Sequence, residues 1–491
     1  MSRIRVILAL FAAFALLAAA CSSSGDDGGG DQAEGQDGGD TEAEAPAPGG
    51  VVDENTDFVF CEPVQDADVE PVSVDETGVS DEAIKLGAIV LDLTELPGDF
   101  AVDLGPWSDY YQTFVDYINE ECGGINGREF DLTFYEIGPL DLDERRAACI
   151  QATEDDGNFI VNNPNGFQGD AVTCITETNE TLFLTTQGQA TDQYEASDDR
   201  LWTLGLSFSQ GLEAMVLDLD DRGLLDGETI GVVWPDTPGQ PEAVQSSVVD
   251  LLEELGHEVA VAREIPCNNS PVCTDGLPLV VEEMITAGVT VALPTLNVVS
   301  TGPLVQEAAI QGWEPMWYQS EFNSMSGETT NSRVVAAGPE AAENYDGTQI
   351  IGTGTGALYR DFPDQPPTSS QICNEIYQAA GGEAWDYADA DQNGNFNATA
   401  SVCHQLRVLY QVLTNAGAEL TQENVIEAWE QLDDVVLGFN KGSFGPGKYS
   451  APDKIHTLQL SLCDNGTRAT DDSPAVCITA LDEYRPIPER P

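Results

Sequence analysis

The side chains able to do chemistry here are suited to holding a small molecule rather than converting one. The amides and hydroxyls of Asn163, Asn165, Thr185, Thr186, Gln187, Thr295, Asn297 and Gln319 lie at the ends of short apolar, strand-like runs. With them go Gly166, the aromatics Phe167 and Trp234, and the carboxylates Asp236 and Glu321. Such groups can orient a polar solute by hydrogen bonds, and a glycine lets backbone approach it. Asp92 and Thr94, after the first strand, are weaker candidates of the same kind. The sequence has 3 histidines, His257, His404 and His456, and each reads as structural: one follows a helix-stopping glycine, one lies in an apolar helical stretch, one precedes a strand. No G-x-S-x-G elbow, H-E-x-x-H pair, Walker loop or G-x-G-x-x-G occurs. Asp389 to Asn395 is spaced somewhat like a calcium loop but lacks its terminal Glu, and reads as a polar loop. Gly352 to Gly356 is glycine-rich without the Lys of a phosphate loop, and reads as a hinge. The expectation is a chain with no catalytic residue, no metal and no cofactor.

Positioning those groups takes strands that stop where the polar residues begin. Apolar, β-branched runs predict strands over 84–91, 130–137, 159–161 and 182–185, then again over 230–234, 259–265, 289–293 and 316–319. Helical spacing predicts helices from Pro106 and over 140–154, 171–177, 243–255, 278–287 and 303–311 between them. Strands alternating with helices of this length argue for parallel, doubly wound sheets, here in two similar runs that imply two lobes. A third section is helical over 371–380, 398–415 (Asn397 as its cap) and 422–432, and the end is Gly/Pro-rich with short strands such as 458–462. In open α/β sheets ligands bind beyond the carboxyl ends of the strands, where the polar groups above fall.

The composition says where such a protein works. Of 491 residues, 86 are Asp or Glu and 18 are Lys or Arg, for a net charge of −68. That excludes a phosphate-gripping nucleic-acid surface and repels an anionic membrane. Arg3 and Arg5 precede an apolar run from Val6 to Ala20, a secretory signal too short to span a bilayer. Cys21 after three alanines resembles the lipid-accepting Cys of a bacterial lipobox, which makes 1–20 the signal peptide. Residues 21–57 read as an acidic flexible linker with hardly any large apolar side chain. Most acids lie beyond it, on the folded surface, and few of the basic residues are Lys; this composition fits salty water, where screening relieves self-repulsion.

Cysteine usage agrees with export. Beyond Cys21 there are ten, none in a C-x-x-C pair, and they allow on the order of a thousand pairings. Local spacing favours Cys267 with Cys273 and Cys463 with Cys477. Successive helices favour Cys149 with Cys174 and Cys373 with Cys403, leaving Cys61 with Cys122.

One segment is more specific. Asn119-Glu-Glu-Cys-Gly-Gly-Ile-Asn-Gly-Arg128, leading into a strand, resembles a hallmark of the leucine/isoleucine/valine-binding protein family of ABC-importer receptors. The resemblance covers about residues 80 to 460 and implies the type I periplasmic binding protein fold: two Rossmann-like lobes joined by three crossing segments, near 204–208, 350–356 and 433–438. The domains it implies are an extension at 58–83, a first lobe of 84–206 and 356–434, a second of 207–355 and 435–484, and a tail at 485–491. It further implies a monomeric, lipid-anchored, extracytoplasmic receptor that closes on a small polar solute, such as an amino acid or amide, and delivers it to a membrane permease. First-lobe loops would hold a carboxylate, and Glu321 or Asp236 would face an α-amino group. A sensor receptor or a cell-envelope enzyme on the same fold is the alternative.

Overall fold

The protein is described by a computed structural model over residues 52–61, 69–96, 98–267, 272–322, 325–354 and 358–490. The expected signal peptide, the lipid-attachment Cys21 and the linker through residue 51 lie outside these residues. Among them, no helix is long and apolar enough to cross a membrane.

The first lobe is built from β1 (Ala83–Leu91), α1 (Trp107–Glu120), β2 (Glu129–Ile137), α2 (Leu142–Ile150), β3 (Ile160–Asn163), α3 (Asp170–Thr173), β4 (Leu182–Thr185), α4 (Thr191–Ala196) and β5 (Leu201–Thr203). Its strands form a parallel sheet in the order β2-β1-β3-β4-β5. Covered on both faces, β1 reads as an unbroken apolar run at its centre. The chain then enters the second lobe with α5 (Phe208–Asp221), β6 (Ile230–Pro235), α6 (Gln240–Val244), α7 (Asp250–Leu255), β7 (Val259–Ile265), α8 (Leu277–Ala287), β8 (Val291–Pro294), α9 (Val298–Gln311), β9 (Met316–Ser320), α10 (Glu328–Val335), α11 (Pro339–Tyr345) and β10 (Gln349–Gly352). It returns for α12 (Thr368–Ala379), α13 (Asn393–Asn415), α14 (Gln422–Trp429), β11 (Val435–Leu437) and β12 (Asn440–Gly442). It ends with β13 (Lys454–Thr467), β14 (Val476–Ala480) and β15 (Arg485–Pro486). The second sheet runs β14-β13-β10-β9-β8-β6-β7, parallel except where β13 pairs with β10 and β14.

The family-like segment is a structural turn. Gly123, Gly124, Asn126 and Gly127 all take left-handed backbone, with φ of 77°, 75°, 51° and 81°. A Cβ at Gly124 would meet the Arg128 carbonyl at 2.3 Å, so only glycine fits there. Ile125 is buried, and buried Arg128 donates to the carbonyls of Ser80, Val72 and Ala418, tying the N-terminal extension to the end of α13.

Several sequence expectations need correction. The linker stops before residue 57: Asn55 is buried and donates to the carbonyls of Gly438 and Asn440, and Phe58 and Phe60 join the first-lobe core. The second crossing comes after Phe362, because Leu358 and Phe362 still pack in the second lobe. The third comes after Ala451: Val435, Val436, Phe444 and Ala451 belong to the first-lobe core, and Thr203 N–H donates to the Tyr449 carbonyl. Residues 435–451 therefore pack mainly with the first lobe, not the second. Asn397 lies inside α13 rather than capping it, its Nδ2 donating to the Asn393 carbonyl at 2.9 Å. Asn393 to Asn395 are thus the first turn of that helix, not part of a loop. α9 begins at Val298 under an Asn297 cap and accommodates Pro303 in its interior.

All five favoured cysteine pairs are present, with Cα–Cα separations from 4.2 to 6.3 Å. Each lies within the range a disulfide spans or at its short edge.

Candidate functional site

Between the lobes lies a cleft of about 620 Å³, the size of a small-molecule site. Strand ends place much of its wall. The loops after β3 and β4 contribute Asn165, Gly166, Thr186 and Gln187; the second lobe contributes Asn297 at the start of α9 and Glu321 after β9. The first crossing segment adds Leu204 to Ser207, and the chain at the end of β10 adds Thr353 and Gly354, so the cleft borders a connection that lets the lobes move.

Six sequence candidates thus come together on one cleft. The others do not line it. Asn163 is buried, with Nδ2 donating to the Ile89 carbonyl and Oδ1 accepting from the N–H groups of Asn165 and Phe167. Thr185, its neighbour in the β3–β4 register, donates its hydroxyl to the same Oδ1. Phe167 packs edge-on against Phe183, and Trp234 is buried among the helices of the second lobe. Asp236 accepts from the Cys267 N–H at 2.7 Å. Thr295 donates to the Val233 carbonyl, and Gln319 to the Tyr345 hydroxyl. Asp92 caps a short turn by accepting from Thr94 N–H and hydroxyl. These residues brace the loops that the others present.

Within the cleft, roles divide further. The Asn165 amide bonds both ways to the Leu91 backbone, at 2.8 and 2.9 Å, so its loop is pinned to β1. Thr186 donates to the Pro164 carbonyl at 2.7 Å, joining the two first-lobe loops. For Gln187 the backbone N–H bonds the Thr185 hydroxyl, while the half-buried side chain faces the cleft. A Cβ at Gly188 would strike the Leu206 carbonyl at 2.1 Å, so this loop lies flush on the first crossing segment.

The charged groups of the wall are distinct from one another. Desolvation pushes the Glu321 carboxyl up from the usual range; Thr353 pulls it back through its N–H at 2.6 Å and its hydroxyl. Gly352 permits this packing, since a Cβ there would meet the Glu321 side chain at 2.5 Å. Glu328 is neutralised inside its lobe by Arg360 and accepts from the Tyr359 and Thr467 hydroxyls and the Ile478 N–H. Arg333 donates to the Thr329 carbonyl and, across the lobes, to the Ala101 carbonyl at 3.1 Å.

Sequence reasoning missed three parts of the wall. The first is apolar: Leu91, Leu93, Leu96, Phe100, Leu104 and Trp107, from the end of β1 to the start of α1. That loop also follows a strand end, and its run of large side chains was a legible signal. The second is α13, which presents Asn393, Asn397, Ser401 and His404. His404 is not only a core residue: it lines the cleft, its Nε2 has no hydrogen-bond partner, and burial, with Arg407 nearby, depresses it to about 3. It is therefore a neutral imidazole. The third is Arg145 on α2.

The family model described as "Periplasmic binding protein" matches residues 84–461. No curated protein matches the sequence. Solved structures share the fold. An ABC transporter solute-binding protein from R. palustris in complex with 4-hydroxybenzoate is 11% identical, with a TM-score of 0.58 over 83% of this chain and 98% of that one. The fatty acid ABC transporter substrate-binding protein from Thermomonospora curvata is 18% identical, with a TM-score of 0.55 over 83% and 94%. A possible leucine/isoleucine/valine-binding protein from Rhodopirellula baltica SH 1 is 13% identical, with a TM-score of 0.53 over 80% and 96%. With more than half of its length matched, the chain belongs to the periplasmic binding protein family, the extracytoplasmic solute receptors of ABC importers.

Proposed function

We propose that the protein is a monomeric receptor, anchored to the outer face of the cell membrane through Cys21, that captures a small organic solute between its lobes for an ABC permease. The observation that carries this reading is the cleft of about 620 Å³ bounded by both lobes and the first crossing segment. Among the sequence candidates, Gln187, Asn297 and Glu321 are the proposed polar contacts; Asn165, Gly166 and Thr186 shape the loops.

The solute combines a polar end with an apolar body. The wall from Leu91 to Trp107 favours the apolar body, and the 4-hydroxybenzoate and fatty-acid names of the structural neighbours are consistent with an organic acid. One observation favours the narrower reading of an amino acid or amide: Glu321 carries a cleft-facing carboxyl whose bonds come from Thr353 and backbone, ready to accept from an ammonium or amide group.

Hydrogen exchange tests the reading. Adding the solute is expected to slow exchange at 164–168 and 186–188 in the first lobe and at 320–322 in the second. Protection confined to one lobe would contradict capture by closure.

A further inference from the structure

Arg145 is the charged group of the cleft with the fewest hydrogen bonds. It stands in the first turn of α2 and is 9% exposed. One of its five N–H donors is used on the Pro139 carbonyl, at 2.6 Å. Its Nε is buried with no partner. Burial alone lowers it, to about 10, and no carboxylate among the described residues offsets that. The remaining cleft charges make more bonds: Glu328 has Arg360, Glu321 has Thr353, and Arg333 bonds the Ser332 hydroxyl and the Thr329 and Ala101 carbonyls. A guanidinium kept in a low-dielectric wall without a counter-ion costs free energy unless something outside the chain completes it.

We propose that Arg145 is the counter-ion of the solute's carboxylate, so that the solute is a monocarboxylate whose apolar body lies along the first-lobe wall. The inference rests on the receptor reading above and names its substrate class. The planar guanidinium suits a carboxylate, since its two oxygens accept from adjacent N–H groups. Pro139 and Leu140 line the cleft on the same segment, and Leu91, Leu93, Leu96 and Phe100 continue the wall as apolar surface. A sugar or polyol would leave that surface unmatched and the guanidinium still without a counter-charge.

Calorimetric titration tests this with benzoate, phenylacetate, hexanoate and octanoate, the matched primary amides, and leucine, on the wild type, Arg145→Gln and Arg145→Lys. At least one acid should bind the wild type about 30-fold more tightly than its amide. Arg145→Gln should lose about 30-fold for the acid and little for the amide, and Arg145→Lys should recover part of the loss. Without solute, Arg145→Gln should melt at or above the wild-type temperature, because a buried unpaired charge has gone; a merely structural arginine would give the reverse. Acid affinity within threefold of wild type in a folded Arg145→Gln would overturn the proposal. So would a wild type that prefers the amides, or leucine held equally by the wild type and Arg145→Gln, while leaving the receptor reading intact. No binding of any probe would count against both.

Discussion

Between pH 6.5 and 4.5 the folded protein is expected to lose about 2–3 kcal/mol at each of two buried histidines. His404 is depressed to about 3, first by burial and then by Arg407; Phe58 packs edge-on against its ring. His456 is depressed to about 4 by burial and, weakly, Arg485; its bond to the Gly354 carbonyl and the charge of Asp482 only partly offset this, and Tyr484 stacks on the ring. Both folded values lie below the ordinary 6.5, so in this window the unfolded chain binds more protons. Stability therefore falls as pH falls. Glu321 and Asp361, both raised by desolvation, act in the opposite sense, as does relief of repulsion among surface carboxylates. Those contributions are common to wild type and variant, which makes the comparison clean. Urea unfolding at pH 7 and 4.5 should show a pH-dependent loss several kcal/mol smaller in His404→Asn/His456→Asn than in wild type. Equal losses in the two proteins would refute the assignment.

The second large effect concerns the disulfide between Cys61 and Cys122. Its sequence separation of 61 exceeds those of the other four, which run from 6 to 30. Chain-entropy arguments put its contribution at about 4 kcal/mol, against about 2 kcal/mol for the short Cys267–Cys273 link. It also fastens the segment carrying Phe58 and Phe60, where Phe60 stacks on Phe114 and Phe58 lies beneath the Arg407 guanidinium. Cys61→Ser/Cys122→Ser should lower unfolding free energy about twice as much as Cys267→Ser/Cys273→Ser. It should also expose the 58–60 segment to proteolysis. Equal losses, or a protected segment, would contradict this.

Much of the architecture was legible because the strands are buried on both faces. A run such as Ile230 to Trp234 must then be apolar throughout, and its polar neighbours must mark its end. The helices that escaped reading show the limit. α10 buries Glu328, Asn331 and Ser332, whose polar atoms are satisfied by Arg360, the Met325 carbonyl and the Thr329 carbonyl, so no apolar stripe announces it. α5 does carry an apolar stripe, Leu212 to Leu219, but it begins directly after a crossing segment whose end the sequence does not mark.

The site was half legible for a related reason. Topology points to the tips of β3, β4 and β9, and Asn165, Thr186 and Glu321 are there. Asn163 and Thr185 are the last residues inside their strands, and successive side chains of a strand alternate in direction. Their polar atoms are spent on the strand ends and on each other. Arg145 and His404 come from helices, and no strand-end rule places a helical side chain in a cleft assembled from distant segments. Arg145 is conspicuous only once its missing partner can be seen.

A small organic molecule is expected to bind between the lobes. Thermal unfolding with increasing solute, in wild type and in Gln187→Trp, tests it most directly, because the new indole fills the cleft from a side chain that holds no other element. At 100 times its dissociation constant a solute should stabilise the wild type by about 2.7 kcal/mol, raising its melting temperature with concentration. Gln187→Trp should keep the solute-free melting temperature and lose that rise. An equal rise in Gln187→Trp, or no rise in the wild type with any amino acid, amide or organic acid, would contradict the account.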